Sequence, residues 1–421
     1  MQAELAAVAH ELITTVEPGF GFLTLRASCS GGGSSHRLTA GPSEQHVFSF
    51  WGLTSLRQVG LDRPAVFEMR VDADGTFEAL VTRDVIQGTT MLPPTYTVLV
   101  TPRERPVRRE VSSLAEVETA IGVTLPPEVH DLYAGRAEVD EDINLYSPDE
   151  VLLTWQMFVA MEDDDPWGWE LPVLYAGPAG AVRAVRFHPR WVPIGSNDWG
   201  DTLCVDLAPG PRGRVGQVIQ LSNEGPLTYL AASVAGLALP DSYPGTHGLA
   251  DHFDVADRGP AGVAALPTTL QELTLREPGD LDFGLLARLT SLRRLTVVRG
   301  GSVRLGALAH LPLERVEASG YEIELPVCDT LAAVVVDGAF VDLPALPGLR
   351  VLDASKAEVD VESLPRVDHL VLNAAQWRRC PVKPAAATLA GESSLARALV
   401  WAGERGVELP REMVRGRVPT A

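Results

Sequence analysis

Hydrophobic and polar positions along the chain switch between helical and strand periods several times. Leu5, Val8, Ala9, Leu12 and Val16 recur at helical spacing, so residues 1–16 are expected to form a helix that Pro18 and Gly19 stop. Residues 20–28 and 46–51 alternate as strands, and 30–35 read as a Gly/Ser loop. Residues 66–71 and 76–81 alternate around Asp72-Ala-Asp-Gly75, the pattern of a hairpin with Phe67, Met69 and Val71 on one side. The first unit, 1–92, is therefore expected to be an α+β domain. Residues 93–110, with four prolines and several arginines, read as a linker. A second unit over 111–240 opens with a serine-capped helix near Ser112 and continues into a short helix started by Pro127. Strands follow at 191–194, 202–207 and 217–221. Residues 241–264 read as another linker.

Between 265 and 380 one pattern recurs six times. Segments that fit Leu-x-x-Leu-x-Leu with conservative swaps start at Leu270, Leu292, Leu313, Leu331, Leu349 and Val367, spaced by 22, 21, 18, 18 and 18 residues. One such unit cannot bury its leucines alone. Stacking buries them in a continuous core and sets the strands in parallel about 4.8 Å apart. The pattern resembles leucine-rich repeats. The non-leucine strand positions are then expected to face outward, with Arg276, Arg294, Arg315, Val335 and Asp353 as the candidate repeat face. After 381 two helices, 394–402 and 410–414, are expected to cap the array.

The densest signature is Trp191-Val-Pro-Ile-Gly-Ser-Asn-Asp-Trp-Gly-Asp201, then Asp206-Leu and Gly216-Gln-Val. With the earlier Ile121-Gly-Val-Thr-Leu-Pro-Pro stretch it resembles the SUKH superfamily over 111–235. The founding members are yeast regulators of cell-wall synthesis, and the bacterial members are largely immunity proteins of polymorphic toxin systems. Read residue by residue, the signature is structural: glycines for tight turns, short polar side chains to satisfy turn amides, and at least one tryptophan in the core. Trp191, Pro193, Gly195, Trp199, Gly200, Asp206 and Gly216 are assigned to that role, and Asn197, Asp198 and Asp201 also to partner contact. The first unit resembles YezG-like antitoxins in its order of elements. The expected fold class is thus an α+β multidomain protein, a SUKH-like α+β domain followed by a C-terminal leucine-rich repeat solenoid (α/β).

Charge sharpens this picture. The net charge is −20, and residues 111–240 hold most of it, with 6 Lys+Arg against 19 Asp+Glu. Nucleic-acid binding, which needs clustered cations, is not expected. A basic protein partner is. Glu162, Asp163, Asp164 and Asp165, with Trp167 and Trp169 beside them, form the most acidic and aromatic segment and join the candidate partner site. No phosphate-loop, dinucleotide, nucleophile-elbow or zinc-protease motif is present. Four separated cysteines and nine scattered histidines suggest no disulfide framework, metal or cofactor. No apolar run is long enough to span a bilayer, and no export signal is read at the N-terminus, so a cytoplasmic, non-enzymatic protein is expected. The resemblance implies an immunity or antitoxin-type protein that binds a cognate toxin, with a basic, nuclease-like toxin best matched to the acidity. The alternative is a cytosolic protein-interaction scaffold without a toxin partner.

Overall fold

A computed structural model describes residues 2–16, 20–30, 33–41, 45–46, 53–57, 59, 65–83, 85–87, 95–99, 111–136, 142–164, 173–178, 180–183, 185–198, 200–222, 226–235, 237, 250–254, 261–392 and 394–418. It divides into two compact units, residues 1–102 with 352–421, and residues 103–351. Among the described residues no helix is long and apolar enough to cross a membrane.

In the first unit, helix α1 (Gln2–Thr15) buries Leu5, Val8, Ala9 and Leu12 against an antiparallel sheet. The sheet runs Arg411–Arg417, Thr76–Arg83, Ala65–Asp72, Phe22–Ser30, Gly33–Ala40, Gln45–His46. Gly75 turns the central hairpin at φ 83°, and the Asp74 carboxylate accepts from the Thr76 N–H and hydroxyl at 3.0 Å. The outer strand Arg411–Arg417 corrects the helix expected at 410–414. Pro410 reads locally as a first-turn proline, but the segment finds its partner more than 300 residues earlier in Thr76–Arg83. Val414 and Val418 join the α1 core, and Gly416 lies where a Cβ would stand 2.5 Å from the Phe77 ring.

The same unit holds a second group of strands. His369–Asn373 pairs in parallel with Ala386–Ala390, which pairs antiparallel with Thr95–Leu99. Thr95–Leu99 falls within the expected linker 93–110. Its Thr-Tyr-Thr-Val-Leu sequence alternates, and Tyr96 and Val98 are buried, a pattern the neighbouring prolines obscured. A buried polar chain crosses these strands. His369 Nε2 and Thr388 Oγ1 are 2.7 Å apart, and Thr388 and Thr97 share a second hydrogen bond of 2.7 Å.

In the second unit, α2 (Leu114–Ile121), α3 (Pro127–Tyr133) and α4 (Pro148–Asp164) pack on one face of a six-stranded sheet. Ser113 caps α2, and Gly122 closes it in the left-handed region at φ 76°. The sheet order is Ile143–Leu145, Trp191–Asn197, Thr202–Asp206, Gln217–Leu221, Leu227–Ala231, Tyr175–Ala176, antiparallel except for the last pair. Val192, Ile194, Leu203 and Val205 face the helices, while Trp191, Cys204 and Ile219 face a second cluster built on Phe187, Ala181 and Leu227. Both sides of the sheet are therefore buried.

Further along, Ala250–Asp254, Glu272–Arg276, Arg294–Arg304, Arg315–Glu324 and Ala333–Asp337 pair in parallel. The first of these lies inside the segment 241–264 that was expected to be a linker. It carries no leucine pattern, so only its pairing with Glu272–Arg276 reveals it. The register aligns successive strands so that Leu273, Leu295, Val316 and Val334 form one buried column and Leu275, Val297, Ala318 and Val336 the next. Two of the strands continue past a bend and, with Phe340–Asp342, pair again as a short outer sheet. Glycine is required at the bend: a Cβ on Gly320 would meet the Gly300 carbonyl at 2.8 Å, and one on Gly338 the Gly320 carbonyl at 2.5 Å.

Candidate functional site

The signature residues come together around two turns of the six-stranded sheet. At the first, Asn197 and Asp201 bind one another. The Asp201 N–H donates to Asn197 Oδ1 at 2.9 Å, the Asn197 N–H donates to the Asp201 carbonyl at 3.1 Å, and Gly200 turns between them at φ 80°. Gln220, one strand further, donates from Nε2 to Asp201 Oδ2 at 2.6 Å. Asn197 is buried, whereas Asp198 is exposed and accepts from Asn144 Nδ2 at 3.2 Å. At the second turn Asp206 is fully buried. Its Oδ1 accepts from the Ala208 N–H at 2.8 Å and its Oδ2 from Gln217 Nε2 at 2.7 Å. Gln217 also ties this turn to the Ala181 carbonyl at 2.8 Å, and Gly216 completes it at φ 90°. Burial pushes the Asp206 carboxyl up, against the pull of the Ala208 and Gln217 hydrogen bonds.

Two more signature positions, Trp191 and Gly195, pack inside the sheet. Trp191 is buried edge-on to Phe187, with ring centroids 6.2 Å apart. The register shifts between Pro193 and Gly195, and a Cβ on Gly195 would lie 2.6 Å from the Asn144 carbonyl of the neighbouring strand. Trp199 lies outside the described residues, as do Asp165, Trp167 and Trp169. The backbone places Glu162, Asp163 and Asp164 in the last turn of α4. Of the candidate partner residues described here, only Asp198 combines a signature position with an exposed side chain.

The expected repeat face is only partly a face. Arg276 is exposed, and Arg294 and Val335 are half-buried. Arg315 is buried, with its guanidinium 2.7 Å from Glu317. Arg294 bonds the same carboxylate at 2.8 Å and reaches Glu272 at 3.2 Å, so these charges are spent on one another across three strands. Asp353 accepts from the N–H and hydroxyl of Ser355 at 2.9 and 2.7 Å and caps its own turn. His369, also expected outward, is buried.

A junction that the sequence reading missed lies at the start of the parallel strands. Gln271, Arg293 and Glu314 each follow the first leucine of a segment and stand in one column. The Gln271 amide donates to the Tyr175 carbonyl at 2.9 Å and accepts from the Tyr175 N–H at 3.3 Å. Arg293 donates to the Val173 carbonyl at 2.6 Å and is held by Glu314 at 2.7 Å. The column thus grips the edge strand of the preceding domain. The available signal was three long polar side chains at the same repeat position.

Chemistry in the second unit is muted. Cys204 is fully buried, and burial raises its thiol well above its ordinary range. Among the described residues no group of three or more His, Cys, Asp or Glu is arranged to hold a metal ion.

Residues 111–237 match the SMI1/KNR4 family (SUKH-1). Within the chain, 55 residues are 42% identical to a cell wall biosynthesis and cell cycle regulator, smi1, of Schizosaccharomyces pombe, covering 13% of this chain and 11% of that protein. A glucan synthesis regulatory protein of Neurospora crassa is 41% identical over 56 residues, 13% of this chain and 10% of its own length. The cell wall assembly regulator SMI1 of Saccharomyces cerevisiae is 40% identical over 47 residues, 11% and 9%. The matched stretch spans only about a tenth of each relative's length. These names overturn the expectation of an immunity or antitoxin protein with a cognate toxin: the relatives are fungal regulators of wall and glucan synthesis. The physical reason lies in the signature itself. Asn197, Asp201, Asp206 and Gln217 close the turns of the domain, so they report its fold and are blind to the activity built on it. The likeness to the SMI1/KNR4 family (SUKH-1) is thus carried by residues 111–237, about a third of the chain.

Proposed function

We propose that this chain is a non-catalytic protein-interaction scaffold, in which a SMI1/KNR4 domain and leucine-rich repeats act together to hold a protein partner. The observation that carries this reading is the Gln271–Tyr175 pairing, backed by Arg293 on Val173. Two linked domains that only needed proximity would be served by a flexible connection. Here polar side chains of the repeats complete the hydrogen bonding of an edge strand, which fixes the orientation of two surfaces for one partner. Repeat stacks supply extended surfaces of the kind used for protein binding. The relatives' names, regulators rather than enzymes, agree with action by binding. A cytoplasmic setting belongs to the same proposal, as does the leucine-rich repeat identity of the stacked strands.

The test is affinity capture with the full chain from its native cells, followed by reconstitution of each enriched protein from pure components and titration calorimetry. The scaffold reading expects a saturable complex of fixed stoichiometry with at least one of them. A chain that forms no such complex, but turns over a substrate in the same extracts, would replace it with an enzyme.

A further inference from the structure

The short outer sheet beyond the glycine bend carries the most conspicuous exposed aromatic residues of the second unit. Tyr321 is 66% exposed and Phe340 58% exposed, and their rings meet edge to face with centroids 5.1 Å apart. Register explains what surrounds them. Ser302, Glu322 and Phe340 stand side by side in one row, and Arg304, Glu324 and Asp342 in the next outward row. Val303 and Ile323, between the rows, are buried. Phe340, three carboxylates and one guanidinium therefore line these two rows, and ring contact brings the exposed Tyr321 against Phe340.

That guanidinium is engaged. Arg304 donates to Glu322 at 3.1 Å, and Ser302 donates to the same carboxylate at 2.8 Å. The Ser302 and Arg304 hydrogen bonds hold the Glu322 carboxyl below its ordinary range, so it is ionised at neutral pH. Glu324 and Asp342 add two exposed carboxylates in the following row. A pair of half-exposed rings beside excess negative charge matches one chemistry well. An arginine or lysine can lay its cation on a ring face while neighbouring carboxylates take its charge. Nucleic acid and anionic lipid are repelled by the same carboxylates.

We propose that the outer sheet of residues 300–304, 320–324 and 340–342 is a docking surface for a cationic, extended segment of a protein partner, with Tyr321 and Phe340 receiving its arginine or lysine side chains and Glu324 and Asp342 its charge. The proposal deepens the scaffold reading and rests on it. Rings and carboxylates have separate tasks: the rings select a cation with an apolar stem, and the carboxylates raise its local concentration and fix its register.

The experiment uses the full chain and a short fluorescein-labelled peptide alternating arginine and valine, read by anisotropy at physiological salt. A peptide with citrulline in place of arginine serves as the neutral control. The wild type is expected to bind the arginine peptide and not the citrulline one. Tyr321→Ser/Phe340→Ser, which leaves net charge unchanged, is expected to weaken binding about tenfold, the product of two exposed ring–cation contacts. Glu324→Gln/Asp342→Asn weakens binding and flattens its salt dependence. Glu404→Gln/Glu408→Gln, which removes two carboxylates elsewhere, changes it by less than about twofold. Circular dichroism establishes that each variant is folded. Equal affinity of the ring variant and the wild type overturns the proposal, as does an equal loss in the Glu404/Glu408 control, since the peptide is then held by overall negative charge. A wild type that ignores the peptide also overturns it. A stoichiometric complex with a captured partner would in that case leave the scaffold reading standing, and only the surface would fall.

Discussion

Gln271 pairs with Tyr175 as a neighbouring strand would: its amide donates to the Tyr175 carbonyl at 2.9 Å and accepts from the Tyr175 N–H at 3.3 Å. A side chain here replaces a backbone partner at the edge of a sheet, where unpaired groups otherwise remain. Gln271→Ala removes both bonds and is expected to cost about 1–2 kcal/mol of stability. The informative readout is local. Hydrogen exchange at residues 173–176 should accelerate in the variant, while exchange in Trp191–Asn197 stays unchanged. Unaltered exchange at 173–176 would show that the junction does not depend on this amide.

Gln217 holds the buried Asp206 carboxylate, and Gln217→Ala leaves that carboxylate with one donor fewer. About 2 kcal/mol should be lost at neutral pH. The sign of the pH dependence follows from burial. The folded value of Asp206 is raised above the ordinary 3.8, so its contribution favours the fold below that value and is lost as pH rises through the folded value. Removing a donor to the ionised form deepens the loss. Urea titrations should therefore show the defect of Gln217→Ala growing from acid to neutral pH. A defect that is constant with pH would place the role of Gln217 elsewhere, in its bond to Ala181.

Much of this architecture is legible in the sequence because it is written locally. The leucines at 270, 292, 313 and 331 are all fully buried, and the apolar runs that follow Trp191, Thr202 and Gln217 mark the three strands observed there. What escaped depends on partners distant in the chain. Arg411–Arg417 carries no strong strand pattern, and Thr76–Arg83 supplies its pairing. The same holds for the candidate site. Arg315 reads as a surface arginine by its place between leucines, yet the Arg294–Glu317 neighbourhood across the sheet buries it. Gln271 and Arg293 look like solvent-facing repeat positions until the edge strand at Tyr175 is brought against them.

Glu317 sits between two arginines. Burial pushes its carboxyl up, but Arg315 beside it and the hydrogen bonds from Arg294 and Arg315 outweigh that, so the net displacement is downward. A lowered folded value means stability that is present above the ordinary 4.5 and lost as pH falls through the folded value. Glu317→Gln strands a buried arginine and is expected to cost about 2 kcal/mol at neutral pH, less than a fully buried pair because both partners retain some solvent. The difference from wild type should shrink in acid, where the native carboxyl is itself protonated. Thermal melts across that range decide it, and a difference that widens toward acid would contradict the assignment.

His369 is the acid-labile point of the first unit. Burial carries its imidazole from the ordinary 6.5 down to about 3, and its Nε2 lies 2.7 Å from the Thr388 hydroxyl. The unfolded chain takes up a proton near 6.5 that the folded chain refuses until about 3, so this contribution is present above 6.5 and is lost progressively below it. His369→Gln should flatten the decline of stability between those values. An unchanged slope would mean that other groups set the acid response.

The proposed function of the chain is to hold a protein partner. The most direct measurement is the titration of the purified full chain with the protein most enriched by affinity capture from its native cells. A saturable complex of fixed stoichiometry is predicted, weakened when Gln271→Ala loosens the junction at Tyr175. No stoichiometric complex with any enriched protein, together with substrate turnover by the purified chain, would contradict it.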